Sequence, residues 1–153
     1  MNVSGKASSL QPAWLGEALG MAFDPVDVDA SPVVARASMP VGASTCQPFG
    51  FLSGGASLAL AETLAGYGSV ALLPEGKKPV GSSVSASHVS AVPAGQTVRG
   101  VATLLHRGRS THLWNVDILA EDGRLVSTAR VLNHIVCLDG PAPEAFRNAK
   151  AGS

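Results

Sequence analysis

From Gly55 to about Leu72 the chain runs through Leu58, Ala59, Leu60, Ala61, Leu64, Ala65 and Val70, apolar residues that fall almost all round a helix. Such a helix cannot lie on a surface. It has to be wrapped by other elements, and that requirement limits the folds open to the chain. The stretch Pro74-Glu75-Gly76-Lys77-Lys78-Pro79 ends it, and its two lysines read as a solvated loop. A glycine pair, Gly54-Gly55, opens it, preceded by Gln47-Pro48-Phe49-Gly50. A helix start presents unpaired amides and a partial positive charge, and glycine lets a ligand oxygen approach them closely. One acidic residue, Glu62, interrupts the apolar run two turns further on, within reach of whatever those amides hold.

Before the helix, Pro12 to Leu19 reads as a short helix, Met21 to Val28 alternates only in part, and Val33 to Met39 reads as a strand stopped by Pro40. A polar loop, Gly42 to Thr45, leads to the glycine pair. After the helix come four strand segments: Val80 to Val92, Gln96 to His106, Thr111 to Ala120 and Arg124 to Leu138. Pro93-Ala94-Gly95, Arg107-Gly108-Arg109 and Glu121-Asp122-Gly123 separate them, the last a hairpin turn, and the pattern is that of an antiparallel meander. Residues 1–139 are expected to form a single domain. The Pro-, Ala- and Gly-rich segment 140–153 has no periodicity and is expected to fray as a flexible tail.

The chain of 153 residues is long enough for one core, with 46% hydrophobic and 14% charged residues. Eleven basic and eleven acidic residues cancel, so no global field draws nucleic acid or an anionic membrane, and any phosphate contact must be local. Cys46 and Cys137 lie far apart without metal-ligand spacing. The N-terminus lacks the apolar core of a signal peptide, and the longest apolar run is too short to span a bilayer. A reduced, soluble, cytoplasmic protein without a metal or cofactor is the expectation.

In the order Gln47-Pro48-Phe49-Gly50, Gly54-Gly55-Ala56-Ser57, Leu60-Ala61-Glu62, His88, Val98-Arg99-Gly100, Leu105-His106, Gly108, Trp114 and Gly123-Arg124, the chain resembles the hotdog-fold acyl-CoA thioesterases from Gly42 to Val136. It looks like their PaaI-like, aromatic acyl-CoA branch, which includes thioesterases for 4-hydroxybenzoyl-CoA and 1,4-dihydroxy-2-naphthoyl-CoA and the proofreading thioesterase of enterobactin synthesis. The resemblance implies an α+β fold with a long central helix wrapped by a curved antiparallel sheet. It also implies hydrolysis of an aromatic or medium-chain acyl-CoA, with coenzyme A as part of the substrate.

In that reading the Gly55 amide holds the carbonyl oxygen, Glu62 is the nucleophile or the base that activates water, and Gln47 orients the thioester or the water. Ser53 stands where many relatives carry a histidine. A serine donates a hydrogen bond but does not titrate near neutral pH, so a weakened thioesterase, a different acyl preference or a retuned member is expected. Gly66 stands where enterobactin-type relatives place a serine. Gly81, Ser82, His88 and Ser90 are implied along the acyl and pantetheine groove. His106-Arg107-Gly108-Arg109-Ser110, a basic turn in a chain of low charge, suits the phosphates of coenzyme A.

A sheet curled round one helix leaves an open edge, so a homodimer is the minimum and a tetramer is common in the family. Hotdog sites form between two subunits, which implies that Glu62 of one chain faces Gln47 and Gly55 of the other. The alternative is a non-catalytic hotdog protein that binds acyl-CoA or acyl-carrier protein. A hotdog dehydratase ranks below both, for want of a His-plus-acid pair around the helix.

Overall fold

The computed structural model describes residues 14–152. A one-turn helix α1 (Leu15–Ala18) and a short strand β1 (Ala22–Phe23) lead to β2 (Val34–Pro40) and helix α2 (Gly54–Leu72). Strands β3 (Lys77–His88), β4 (Thr97–Arg107), β5 (Thr111–Leu119) and β6 (Leu125–Cys137) follow, then a 3₁₀ turn at Glu144–Phe146. The six strands form one curved antiparallel sheet round α2, in the order β1-β2-β4-β5-β6-β3. This is the expected α+β hotdog architecture. Of the helix expected over Pro12 to Leu19, one turn is present; Pro12 lies outside the described residues.

The core follows from alternation. On β5 every second residue, His112, Trp114, Val116 and Ile118, is buried. Leu60, Ala61, Leu64 and Ala65 of α2 meet that face and are fully buried. Two glycines permit the close approach: a Cβ at Gly100 would stand 2.9 Å from Leu64 Cδ2, and one at Gly68 would stand 2.7 Å from the Trp114 ring. Truncating Leu60 or Leu64 to alanine would therefore cost about 2–5 kcal/mol.

Three expectations need correction. The strands after the helix do not form a simple meander, because β3 pairs with β6 rather than β4, from Lys77 opposite Cys137 to His88 opposite Ser127. Helix α2 hands the chain to the far edge of the sheet, where Pro79 is tolerated because an edge strand has a side with no ladder partner. Residues 89–96, expected to continue the strand to Val92, instead form a strap crossing beneath the start of α2. There Leu52 N donates to Val92 O at 2.8 Å, Ala94 N to Gly50 O at 3.0 Å and Gly95 N to Val41 O at 2.9 Å.

The sheet wraps α2 as expected and leaves one stripe of it uncovered. The stripe Gly55, Ala59, Glu62 and Gly66, spaced by three or four residues, stays exposed or half-exposed. Against expectation, the segment after Gly140 is docked rather than frayed. Its one aromatic residue, Phe146, packs edge-on against Tyr67 and Trp14 at centroid distances of 5.3 and 5.5 Å. Val26 N donates to Ala149 O at 2.7 Å, Ala151 N donates to Val26 O at 2.9 Å, and Ala149 is buried.

One polar node lies inside the core. The Ser69 hydroxyl of α2, fully buried, is 2.9 Å from Trp114 Nε1, 3.1 Å from Asn133 Nδ2 and 3.0 Å from His112 Nδ1. The indole and the amide are donors, so they occupy the oxygen's lone pairs and the hydroxyl proton goes to His112 Nδ1. The count leaves His112 neutral, with its ring proton on Nε2. Burial lowers the His112 pKa below its ordinary 6.5, and the nearby Arg107 and His106 lower it further.

The sign follows: the unfolded chain binds a proton that the folded chain refuses. His112 therefore contributes stability that is present above about pH 6.5 and is lost as pH falls from there through the folded-state value. In denaturant titrations the unfolding free energy is expected to drop between about pH 7 and about pH 5, and to drop less steeply in His112→Asn. Identical slopes in the two proteins would remove His112 as the cause.

Candidate active site

The start of α2 is built by a small hairpin in the preceding loop. Gln47 N donates to Phe51 O at 2.9 Å, Gly50 N donates to Gln47 O at 3.1 Å, and Gly50 takes the left-handed φ of +83° that the turn requires. Thr45 anchors its base: its hydroxyl donates to Pro40 O at 2.8 Å and accepts from Gly42 N at 2.9 Å. Ser53 then sits at the N-cap in extended conformation, yet its side chain makes no capping bond. The first intrahelical bond in this turn is Ser57 N to Ser53 O, at 3.1 Å, so the amides of Gly54, Gly55 and Ala56 precede the helical ladder. A Cβ at Gly55 would meet only the Ser53 hydroxyl, at 3.5 Å.

From the other side, β3 brings His88 over this helix start. Its Nδ1 pairs with Ser127 Oγ of β6 at 3.0 Å, and Nε2 lies so near Gly54 that a Cβ there would stand 2.7 Å away. Glycine is needed for the approach. A cavity of about 420 Å³ opens here, lined by Gln47, Gly54, Ser57 and His88 with apolar walls from Phe51, Val89 and Val126. Ser90 joins it, its hydroxyl donated to Leu125 O. Of the strap, sequence reasoning names Ser90 but not Val89 or Ala91; it gives Ser57 no role beyond its place in the glycine motif, and it misses Ser127. Ser127 was accessible from the alternation Ser127, Ala129, Val131, Asn133 on β6, all buried.

Glu62 lies on the same stripe of α2 as Gly55, seven residues on, which is about 10 Å along the axis. Its side chain is exposed, forms no ion pair among the described residues, and rests against Gly81 of β3. Beside it the β3–β6 register shifts between Gly81 and Ser83, and Ser82 Oγ donates to Leu132 O at 3.1 Å. Within one chain, then, Gln47, Ser53, Gly55, His88 and Ser90 gather at the helix start, while Glu62, Gly81 and Ser82 lie two turns away.

The turn His106 to Ser110 sits elsewhere. Arg107 Nη2 donates to Leu72 O at 3.0 Å, placing it on the last carbonyls of α2, where a cation meets the negative end of the helix. That end is about 28 Å from the start of a 19-residue helix. Gly108 N donates to Thr111 O and Ile135 N to Ser110 O, each at 2.8 Å, and the Arg107 and Arg109 side chains are exposed. Lys78, expected in a solvated loop, opens β3 at this end and donates to Asp139 O at 3.1 Å. Among the described residues no cluster of His, Cys, Asp and Glu has metal-site geometry, and no helix is long and apolar enough to cross a membrane. Both cysteines are free.

A family model for the thioesterase superfamily matches residues 49–127. Over 101 residues the chain is 46% identical to the proofreading thioesterase EntH of Cronobacter sakazakii, spanning 66% of this chain and 73% of that one. Among solved structures, thioesterase PA1618 of Pseudomonas aeruginosa, in a glutamine-to-alanine variant, is 36% identical with a TM-score of 0.73, covering 80% of this chain and 86% of that one. Thioesterase SAV0944 of Staphylococcus aureus, also a glutamine-to-alanine variant, is 33% identical with a TM-score of 0.72, covering 80% and 98%. A glutamate-to-alanine variant of SAV0944 has been solved too.

The seat of His88 can be tested directly. Gly54→Ala places a methyl carbon only 2.7 Å from where Nε2 now lies, so the ring must swing away from the helix start, while the added helix propensity offsets about 0.5–1 kcal/mol of the disturbance. The expected result is a displaced His88 ring resonance by NMR with little change in Tm. An unmoved resonance would mean that the ring does not rest on Gly54.

Proposed function

Because the chain belongs to the thioesterase superfamily and is on that account a thioester hydrolase, we propose that it cleaves an aromatic or medium-chain acyl-CoA, with Glu62 as the acting carboxylate and the Gly55 amide as oxyanion donor. One observation carries this reading above the others. The helix start is left without a side-chain cap, so the Gly55 amide stays free for a ligand oxygen, and a carboxylate with no ion pair among the described residues stands on the same open stripe. In SAV0944 the replaced glutamine and glutamate are 15 positions apart, which is also the spacing of Gln47 and Glu62.

As a base, Glu62 takes a proton from water while the water oxygen bonds to the carbonyl carbon. The Gly55 N–H holds the developing oxyanion, the C–S bond breaks, and the thiolate recovers the proton from the Glu62 carboxyl. As a nucleophile, a Glu62 oxygen bonds to the carbonyl carbon and expels the thiolate, and water then opens the mixed anhydride. Either route releases a carboxylic acid and a thiol. Gln47 and Ser53 orient the thioester at the helix start. His88, Ser90 and Ser82 line the path of the pantetheine arm along β3. His106, Gly108, Arg109 and Ser110 meet the coenzyme A phosphates, with Arg107 holding their turn to the helix end.

The expectation that Glu62 lies within reach of what the helix-start amides hold fails within one chain, because about 10 Å along the axis is too long for Glu62 and Gly55 of the same protomer to act on one carbonyl. The reading therefore requires a homodimer in which Glu62 of one protomer faces Gln47 and Gly55 of its partner, and larger assemblies are compatible with it. A cytoplasmic setting agrees with the free thiols. Ser53 favours one second reading, a protein that binds acyl-CoA or acyl-carrier protein without turnover, because a serine cannot supply an imidazole at the thioester.

Thiol release from benzoyl-, hydroxyphenylacetyl-, naphthoyl- and straight-chain acyl-CoA separates the two. Release is expected on an aromatic member, falling about 10²–10⁴-fold in Glu62→Ala with acyl-CoA binding retained. Equal rates in wild type and variant would sink the role of Glu62; binding without release would favour the binder.

The shared site has its own test. Gly55→Pro removes the amide donor at a first-turn position where proline is tolerated, and it should be as inactive as Glu62→Ala. Refolding the two variants together is expected to restore about a quarter of the wild-type activity, since half of the dimers are mixed and each mixed dimer has one intact site. No recovery would place the whole site within one protomer.

A further inference from the structure

We propose that Gly81 and the bulge that follows it form the seat of the Glu62 carboxylate, which makes Gly81 a positioning residue rather than a substrate contact. The inference rests on the reading of Glu62 as the acting carboxylate. A Cβ built on Gly81 would stand 3.2 Å from Glu62 Cδ and 3.4 Å from Cγ, and it would collide outright with Oε1. No side chain larger than hydrogen leaves room for the carboxylate where it now lies. The obstacle is the far end of a flexible side chain, so a methyl group at position 81 would move the carboxylate and not the backbone.

The bulge explains why strand β3 presents a glycine backbone at that height. Gly81 pairs with Asn133 and Ser83 with Leu132, so Ser82 has no opposite number on β6. An extra residue of this kind bends the strand and re-aims its neighbours, and such features occur beside active sites. Here it is pinned from within: Ser82 Oγ donates to the carbonyl of Leu132, the residue at which the register shifts. The hydroxyl thus ties down the irregular stretch of β3, and Gly81, immediately before it, meets α2 at Glu62. The same strand ends at His88 over Gly54, so the bulge sets the placement of Gly81 and His88 along the helix.

A carboxylate displaced by about an ångström from its attacking geometry costs rate without costing affinity, by about 10- to 100-fold. Gly81→Ala is therefore expected to lower kcat by that factor with KM and Tm nearly unchanged. Ser82→Ala, which frees the bulge but leaves room for the carboxylate, should lower kcat by less. The same alanine in a Glu62→Asp background gives the sharper readout. The shorter acid no longer reaches the new methyl group, so the further loss on adding Gly81→Ala should be much smaller than in wild type.

A wild-type kcat in both Gly81→Ala and Ser82→Ala would overturn the proposal, as would a loss carried by KM alone or an equal loss in both backgrounds. Glu62→Ala separates this failure from that of the functional reading. If Glu62→Ala turns over normally, the role of Glu62 itself is wrong. If it is inactive while Gly81→Ala is normal, only the seat is wrong.

Discussion

Helix α2 cannot be left in water. Leu60, Ala61, Leu64 and Ala65 are fully buried, and each of the two leucines contributes about 1.5–3 kcal/mol relative to exposure. The sheet bends to meet that demand. Strand β5 presents its alternating buried face to the helix, Gly100 and Gly68 remove the side chains that would hold the two apart, and the Ser69 hydroxyl ties the helix to β5 and β6 through His112, Trp114 and Asn133. Burying one hydroxyl is acceptable because all three of its hydrogen-bonding positions are filled.

A single sheet bent round a helix covers only one side, and what is left over is the surface on which the proposed site lies. The uncovered stripe Gly55, Ala59, Glu62, Gly66 is almost devoid of side chains apart from the carboxylate, so Glu62 stands alone on it. Edge strand β3 runs along the helix from the Lys77 end to His88 over Gly54, with Ser82 and His88 bonded back to β6 at Leu132 and Ser127, and Ser90 of the strap that follows bonded to Leu125. These bonds hold the strand against the sheet, and the other edge of β3 has no ladder partner among the described residues. Helix stripe and open edge lie side by side, so the dimer proposed above would have to cover both.

Much of this was legible in local pattern. Helix α2 was bounded to within a residue because glycine and proline mark its ends, and the strand segments β4, β5 and β6 were bounded to within a residue or so by their turns. Pairing was harder. That β3 joins β6 depends on where a 19-residue helix delivers the chain, and the run to Val92 looks like more strand although Val92 bonds to Leu52 in the loop before the helix. The docked tail rests on Phe146, a lone aromatic in a segment of small residues, whose partners Trp14, Phe23 and Tyr67 come from three other elements. The site residues were named from motif order, but motif order says nothing of distance. Hence Arg107 surfaced at the far end of the helix from Gly55, and Ser127 and the bulge at Ser82 were not singled out for the places they hold.

The two ends of α2 are treated in opposite ways. At the C-terminal end Arg107 reaches across to the Leu72 carbonyl, a contact that satisfies an orphan acceptor and opposes the negative pole. At the N-terminal end a residue well suited to capping is present, since a serine in extended conformation ordinarily accepts from the second or third helical amide. Ser53 does not do so, which forgoes about 0.5–2 kcal/mol of helix stability. An imidazole from β3 rests on Gly54, and the cavity opens beside the amides that a cap would have occupied. A helix with one pole closed by its own chain and the other left open is poised to receive an anionic or polarised oxygen at the open end. In the proposed reading a ligand oxygen takes the place of the cap and recovers the stability forgone there, so binding and helix capping reinforce each other.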